Sequence, residues 1–245
     1  TDLKSHANVL SLISGNGFGR EGYPVRGLFS IPFAGLTEDG LPTFINQDGQ
    51  KTISSFNFQE YEKLDFLKYE GPTDPTITGS FGNILTYKNL KLNVFVTYSF
   101  GNVIRLDPVF SNAYSDLDAM PKEFKNRWMK AGDENVTNIP TIVSTRMNQQ
   151  YAYLNMAYNA YNYSDVRIAD GGFIRLKEIS LSYDLPAKVI NFFRLNKLQL
   201  KLQATNLCLL YADSKLNGQD PEFFRSGGVS TPVPKQFTFT VRLGL

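Results

Sequence analysis

The stretch Leu90-Lys91-Leu92-Asn93-Val94-Phe95-Val96-Thr97-Tyr98-Ser99-Phe100 places Leu90, Leu92, Val94, Val96, Tyr98 and Phe100 at every second position, with Lys91, Asn93, Thr97 and Ser99 largely filling the places between. Successive side chains of a strand point to opposite faces, so this spacing predicts one strand with an apolar face and a polar face. Its length matches the about 9 to 11 residues of a tilted membrane-spanning strand. A polar face bearing Lys91 suits a water-filled lumen as well as bulk solvent. The period alone leaves a transmembrane barrel and a soluble sandwich both open.

Upstream, Ile77, Gly79, Phe81, Asn83, Leu85 and Tyr87 alternate more weakly, and only Lys88 and Asn89 separate them from Leu90, which predicts a hairpin with a short turn. Downstream, Leu198, Leu200, Leu202 and Ala204 alternate with Gln199, Lys201, Gln203 and Thr205. The phase is then expected to slip at a bulge near Asn206, with Leu207 and Leu209 taking over the apolar face. Phe237, Phe239, Val241, Leu243 and Leu245 alternate with Thr238, Thr240, Arg242 and Gly244. Long antiparallel strands are therefore expected over residues 76–87, 90–102, 172–184, 197–210 and 235–245, with a sixth around 23–34. Short turns near Asn89 and Phe192 lie at one end, and the long connections 105–169 and 212–234 at the other. That asymmetry is the one found in transmembrane barrels. On this reading Leu92, Val94, Val96, Leu200, Leu202, Phe237, Phe239 and Val241 face lipid, and Lys91, Asn93, Lys201, Gln203 and Arg242 face the lumen.

The totals narrow the function. Thirteen Tyr and 19 Phe against one Trp, with 19 Gly and 12 Pro, suit aromatic strands and many turns. A net charge of +2, without a basic stripe, gives no case for nucleic acid. One Cys, Cys208, and one His, His6, permit no intramolecular disulfide and no His- or Cys-built metal site or triad. No metal, cofactor or catalytic residue is expected, and the chain reads as a non-enzyme. No run reaches the roughly 18 apolar residues of a membrane helix, so a membrane form must be a barrel. A helix is expected over 120–131, with Pro121 near its start and Gly132 beyond its end. Trp128, the polar-set Tyr151, Tyr153, Tyr158, Tyr161 and Tyr163, and the Asp220/Glu222 pair are the candidate loop contacts to a substrate or partner.

Several motifs occur in the order found in one family. Glu21-Gly22-Tyr23-Pro24, Gly27-Leu28-Phe29 and Asp48-Gly49 come first, followed by Tyr69-Glu70-Gly71-Pro72, Phe81-Gly82-Asn83 and Thr86-Tyr87-Lys88. Then come the strand from Leu90 to Asn102, Asn126-Arg127-Trp128 with Gly132-Asp133, the stretch Gly172-Phe173-Ile174-Arg175-Leu176-Lys177-Glu178-Ile179-Ser180-Leu181-Ser182-Tyr183, Ala204-Thr205-Asn206-Leu207, and Asp220-Pro221-Glu222. Together they resemble the C-terminal signatures of the SusC/RagA family of TonB-linked outer-membrane proteins. Two departures are Leu245, where many outer-membrane barrels end in an aromatic, and Cys208-Leu209-Leu210 after Asn206-Leu207.

The resemblance implies an all-β fold: an antiparallel transmembrane barrel portion of about six strands from an expected barrel of about 22, with long extracellular loops. Residues 1–245 are expected to be the C-terminal part of such a barrel, without the plug domain and TonB box. It further implies import of glycans or oligopeptides across the outer membrane of a Gram-negative cell. The implied partners are a SusD/RagB-like surface lipoprotein, TonB acting through an N-terminal part, and the remaining barrel and plug. The alternative from a different class is a soluble all-β carbohydrate-binding module, which would need its apolar ladders to face a common core.

Overall fold

The computed structural model describes residues 7–15, 19–109, 122–150, 154–192, 194–224 and 234–244. In chain order these form α1 (Val9–Ser14), β1 (Gly27–Ser30), β2 (Phe33–Leu36), β3 (Pro42–Ile45), β4 (Lys51–Thr52), β5 (Lys68–Pro72), β6 (Ile77–Tyr87), β7 (Leu90–Phe100), β8 (Val103–Arg105), α2 (Thr145–Gln150), α3 (Leu154–Asn162), β9 (Ile168–Asp170), β10 (Phe173–Asp184), α4 (Ala187–Phe192), β11 (Lys197–Ala212) and β12 (Gln236–Gly244). The chain divides into two compact units, one of residues 1–74 and 102–169 and one of residues 75–101 and 170–245.

The second unit is a single antiparallel sheet in the order β12-β11-β10-β7-β6. Its strands coincide with the five long ladders expected from the period. Tyr87 pairs with Leu90 across the Lys88-Asn89 turn, where Lys88 takes φ 52. In register, Leu85, Leu92, Leu181, Leu202 and Phe239 form one row, and Thr86, Lys91, Ser182, Lys201 and Thr240 form the next. The first kind of row lies on one face and the second on the other, so the whole sheet is amphipathic. Its apolar face is uncovered: Phe237 is 74% and Phe239 61% exposed, with Leu85, Leu202 and Leu243 also open.

An irregularity falls at Asn206 as expected, and the facing strand β10 bulges beside it. Leu176 pairs with Val96 while Glu178 pairs with Phe95, which leaves Lys177 as an extra residue in β10. On the β11 side the same irregularity spans Thr205 to Cys208, where Asn206 takes φ 53. Cys208, opposite Leu176, stays outward and Leu209 pairs with Arg175 on the polar face; a second irregularity then leaves Leu210 as an extra residue and turns Tyr211, opposite Ile174, outward. The expectation that Leu207 and Leu209 take over the apolar face is thereby corrected.

The sixth strand expected around residues 23–34 is not part of this sheet. That stretch holds β1, paired with β5, and β2, in a three-stranded sheet with β3 and β4, both in the first unit. This unit has its own core. The amphipathic α1 places Val9, Leu12 and Ile13 with Phe29, Ile31, Phe44, Phe56 and Tyr161. It begins at Asn8, whose Oδ1 accepts the Ser11 amide at 2.9 Å while Asn8 N–H donates to Ser11 Oγ at 2.9 Å, a reciprocal cap. It ends at Gly15 with φ 68, where a left-handed residue stops a helix at least cost. The Arg105 guanidinium ties distant segments by donating to the Phe29 carbonyl at 2.6 Å and to the Ser164 carbonyl at 3.4 Å.

The helix expected over 120–131 is a short 3₁₀ turn, Lys122–Asn126, followed by irregular chain; Met120 and Pro121 lie outside the described residues. The donors that would continue a helix find other acceptors. Trp128 N–H donates to Ile139 O at 2.9 Å, and the Met129 and Lys130 amides donate to Asp133 Oδ2 at 3.0 and 3.1 Å. An acidic side chain competing for backbone donors in this way favours a turn over a helix.

Candidate functional site

The polar face of the sheet carries a connected set of charges. Glu178 accepts from Asn93 Nδ2 at 3.1 Å on the neighbouring strand, and Lys201 Nζ lies 3.9 Å from the same Oε1. Further along, Arg175 Nη2 donates to both oxygens of Asp220, at 2.6 and 2.7 Å, and lies 3.1 Å from Glu222 Oε2. Asp220 Oδ1 also accepts the Glu222 amide at 3.1 Å, capping the turn Pro221–Phe223, with Pro221 in the first position, which needs no donor. Asp220 is thus a buried clip that fastens this segment to β10, at 1% side-chain exposure, while Glu222 remains half open to solvent. Lys201 falls on the polar face as expected, whereas Arg175 and Glu178 were not singled out from the sequence.

The aromatic candidates fall in the first unit. Trp128 packs on Gly40, which has φ 74, and a Cβ added there would lie 2.4 Å from the indole Cδ2. The indole Nε1–H donates to Glu134 Oε2 at 3.1 Å. The Glu134 carboxyl is held below its usual range by its own backbone amide first and by this indole bond second. Tyr158 and Tyr161 are core residues of α3, each 2% exposed, and present no open face for a ligand. Tyr158 Oη–H donates to the Thr141 carbonyl at 2.6 Å, and Tyr161 stacks edge-on to Phe33. Tyr163 is partly buried beneath the Arg105 guanidinium, 5.3 Å away. Tyr151, Tyr153 and His6 lie outside the described residues. Removal of residues 149–163 would therefore take away α3 and part of a core. Among the described residues no group of three or more His, Cys, Asp or Glu side chains is placed to hold a metal.

Two expected outcomes follow from these contacts. Gly40→Ala should destabilise the first unit by about 1–2 kcal/mol from the left-handed backbone alone, and displacing the indole adds to this. The fluorescence of Trp128, the one Trp of the chain, reports both effects; an unchanged spectrum and unfolding midpoint would contradict the packing. Burial pushes the Tyr161 hydroxyl from its ordinary 10.0 up to about 12. The folded unit holds that proton more tightly than the unfolded chain, so its contribution is complete below pH 10 and is lost as pH rises toward 12. Denaturation at stepped alkaline pH should show this fall, and Tyr161→Phe should flatten it.

Aromatic side chains also band the apolar face of the sheet at two levels. Tyr87 and Tyr183 share the row Tyr87-Leu90-Tyr183-Leu200-Val241 beside the turns. Tyr98 and Tyr211 share the row Gly79-Tyr98-Ile174-Tyr211 toward the other end, with Phe100 stacked 6.1 Å from Tyr98 and 6.1 Å from Tyr211. Along β7 the rows are the distance from Leu90 to Tyr98 apart, roughly 27 Å at about 3.4 Å per residue. On a strand tilted about 40° this is a band of roughly 21 Å, close to the about 25 Å apolar belt of an outer-membrane barrel between its aromatic girdles.

No family model matches the chain. A curated relative, TonB-dependent receptor P3 of Formosa agariphila, is 25% identical over 209 residues, which is 82% of this chain and 18% of the relative. Among solved structures, the RagAB peptide transporter superimposes with a TM-score of 0.60 at 21% identity, over 89% of this chain and 22% of that one. The RagAB peptide importer in the open-open state superimposes with a TM-score of 0.58 at 21% identity, over 89% and 22%. The chain thus spans about a fifth of the length of the proteins it matches. It is similar in sequence to a stretch of a TonB-dependent receptor and similar in fold to a stretch of the RagAB transporter.

Proposed function

We propose that the chain forms part of the wall of an outer-membrane transporter. The observation that carries this reading is the sheet's uncovered apolar face, bounded by two aromatic rows, with a charged and polar face behind it. A soluble carbohydrate-binding module would turn those ladders toward a core. Here they are open, and exposed Leu and Phe in such numbers are stable against lipid. On this reading the turns at Asn89 and α4 lie at the periplasmic end, and the long connections 105–169 and 212–234 lie outside the cell.

The transporter takes up oligopeptides or glycans together with a SusD/RagB-like surface lipoprotein, driven by TonB. Peptide is favoured by the RagAB likeness in fold. The candidate contacts that remain open to a substrate or lipoprotein are Trp128, Tyr163 and Glu222, with Tyr151 and Tyr153 beside them in sequence. Asp220 acts by holding Glu222 in place. The test uses single cysteines at Leu202 and Gln203 in the full-length protein with Cys208→Ser. A lipid-soluble maleimide should label position 202 and a water-soluble one position 203, and equal labelling would refute the membrane reading. Uptake of labelled oligopeptide and oligosaccharide by cells with and without the gene then distinguishes the two cargoes.

A further inference from the structure

We propose that the turn end of the sheet is a binding site for an anionic phospholipid, with its phosphate on the basic turns and one acyl chain in a furrow on the apolar face. The inference rests on the membrane reading above and adds a lipid class and a position to it. Two independent features carry it.

The first is charge. The two connections at this end carry Lys88, Lys188 and Arg194 and no carboxylate, and Lys197 opens β11 beside them. All four are exposed, and among the described residues none of them has an ion-pair partner within 4.0 Å. Asp184, at the end of β10, accepts a hydrogen bond from Gln199 Nε2 at 2.9 Å. Lys88 Nζ lies 5.4 Å from the centre of the Tyr87 ring, which holds its charge beside the aromatic row. The segment at the other end of β11 instead mixes Asp213, Lys215, Asp220 and Glu222. Unpaired cations next to interfacial aromatics bind anionic headgroups through charge, and each adds to the attraction.

The second is shape. The apolar face has a furrow of about 530 Å³ lined by Leu92, Ile179, Leu181, Leu202, Ala204 and Phe239. It opens because Ala204 supplies a methyl group in a row otherwise filled by Val94, Ile179 and Phe237. From Lys197 to Ala204 the strand runs about 23 Å at about 3.3 Å per residue, or about 18 Å of depth at a tilt of about 40°. Half of a hydrocarbon core of about 30 Å is about 15 Å. A chain whose phosphate rests at the turns therefore ends in the furrow.

The experiment uses full-length protein in nanodiscs and in detergent, with native mass spectrometry counting retained lipid after exposure to phosphatidylglycerol or phosphatidylcholine of the same chain length. Wild type should retain phosphatidylglycerol about tenfold better. Lys88→Asn with Arg194→Asn keeps residues that tolerate left-handed backbone at both positive-φ sites, and with Lys197→Gln it should erase that preference. Ala204→Phe, which fills the furrow, should lower retention of both lipids while leaving the preference. A wild type that does not discriminate, or variants that match it, would overturn the proposal. So would displacement by inorganic phosphate at fixed ionic strength, which would mean that the chain contributes nothing. Failure of the membrane reading shows differently: the protein would then remain soluble without detergent and not enter nanodiscs at all.

Discussion

Arg175→Met is expected to destabilise the sheet-bearing unit by about 3–5 kcal/mol, the range for breaking a buried pair from one side. The Arg175 side chain is 4% exposed and that of Asp220 1%, so removing the guanidinium leaves a carboxylate with no cation and little water. Glu222 cannot compensate, because it carries the same charge and already shares the same Nη2. Asp220→Asn should cost less, since the amide oxygen still accepts. The double change Arg175→Met with Asp220→Leu should recover much of the loss, because neither buried charge then stays unmatched. Urea unfolding of the full-length protein in lipid, followed by tryptic release of the segment around Asp220, measures both stability and local detachment. A single Met variant within about 1 kcal/mol of wild type would show that the pair is not what holds this segment.

The other large effect contrasts adjacent residues. Val94 pairs with Asn83 and Ile179 on the apolar face, midway between the two aromatic rows, whereas Asn93 faces Ser180 and donates to Glu178. Val94→Arg should cost about 2–4 kcal/mol, as a cation at the membrane midplane does, and Phe239→Arg a comparable amount. Asn93→Arg places its charge beside Glu178 and should be nearly neutral. The same unfolding experiment compares the three variants; equal tolerance at positions 93 and 94 would remove the basis for a membrane-facing surface.

The five long strands were legible because nothing competes with a two-residue period over such a length. Each pairs in the register its apolar residues require, and a slip by one would turn every Leu and Phe to the polar side. The first unit was not legible for the opposite reason. Its strands run for two to five residues, as in Lys51–Thr52 and Lys68–Pro72, too short for a period to show. Residues 105–169 therefore read as loop, while in the structure they supply α3 and Phe124 to cores shared with residues 7–67. One signal was available: Leu154, Ala157, Tyr158 and Tyr161 fall at helical spacing, which points to a buried helix face and not to a display of rings. Of the candidate contacts, Asp220 could be seen as part of a motif, but not as the partner of a residue 45 positions away.

The extra residue at Lys177 has a consequence for which changes β10 can tolerate. Before the bulge the outward residues are Ile174 and Leu176; after it they are Ile179, Leu181 and Tyr183, so the strand is written in two frames joined at one point. Were the chain continuous in the second frame, Arg175 would be among the outward residues and could not reach Asp220. Deleting Lys177 should thus remove the bulge and set Leu176 and Glu178 opposite the consecutive residues Val96 and Phe95, so that Ile174, Leu176, Ile179, Leu181 and Tyr183 stay outward and Arg175 inward in one unbroken frame. Loss of a single residue between Ile179 and Tyr183 should instead turn part of the strand to the wrong face, whereas point changes at Lys177 itself, whose identity sets neither frame, should pass almost unnoticed.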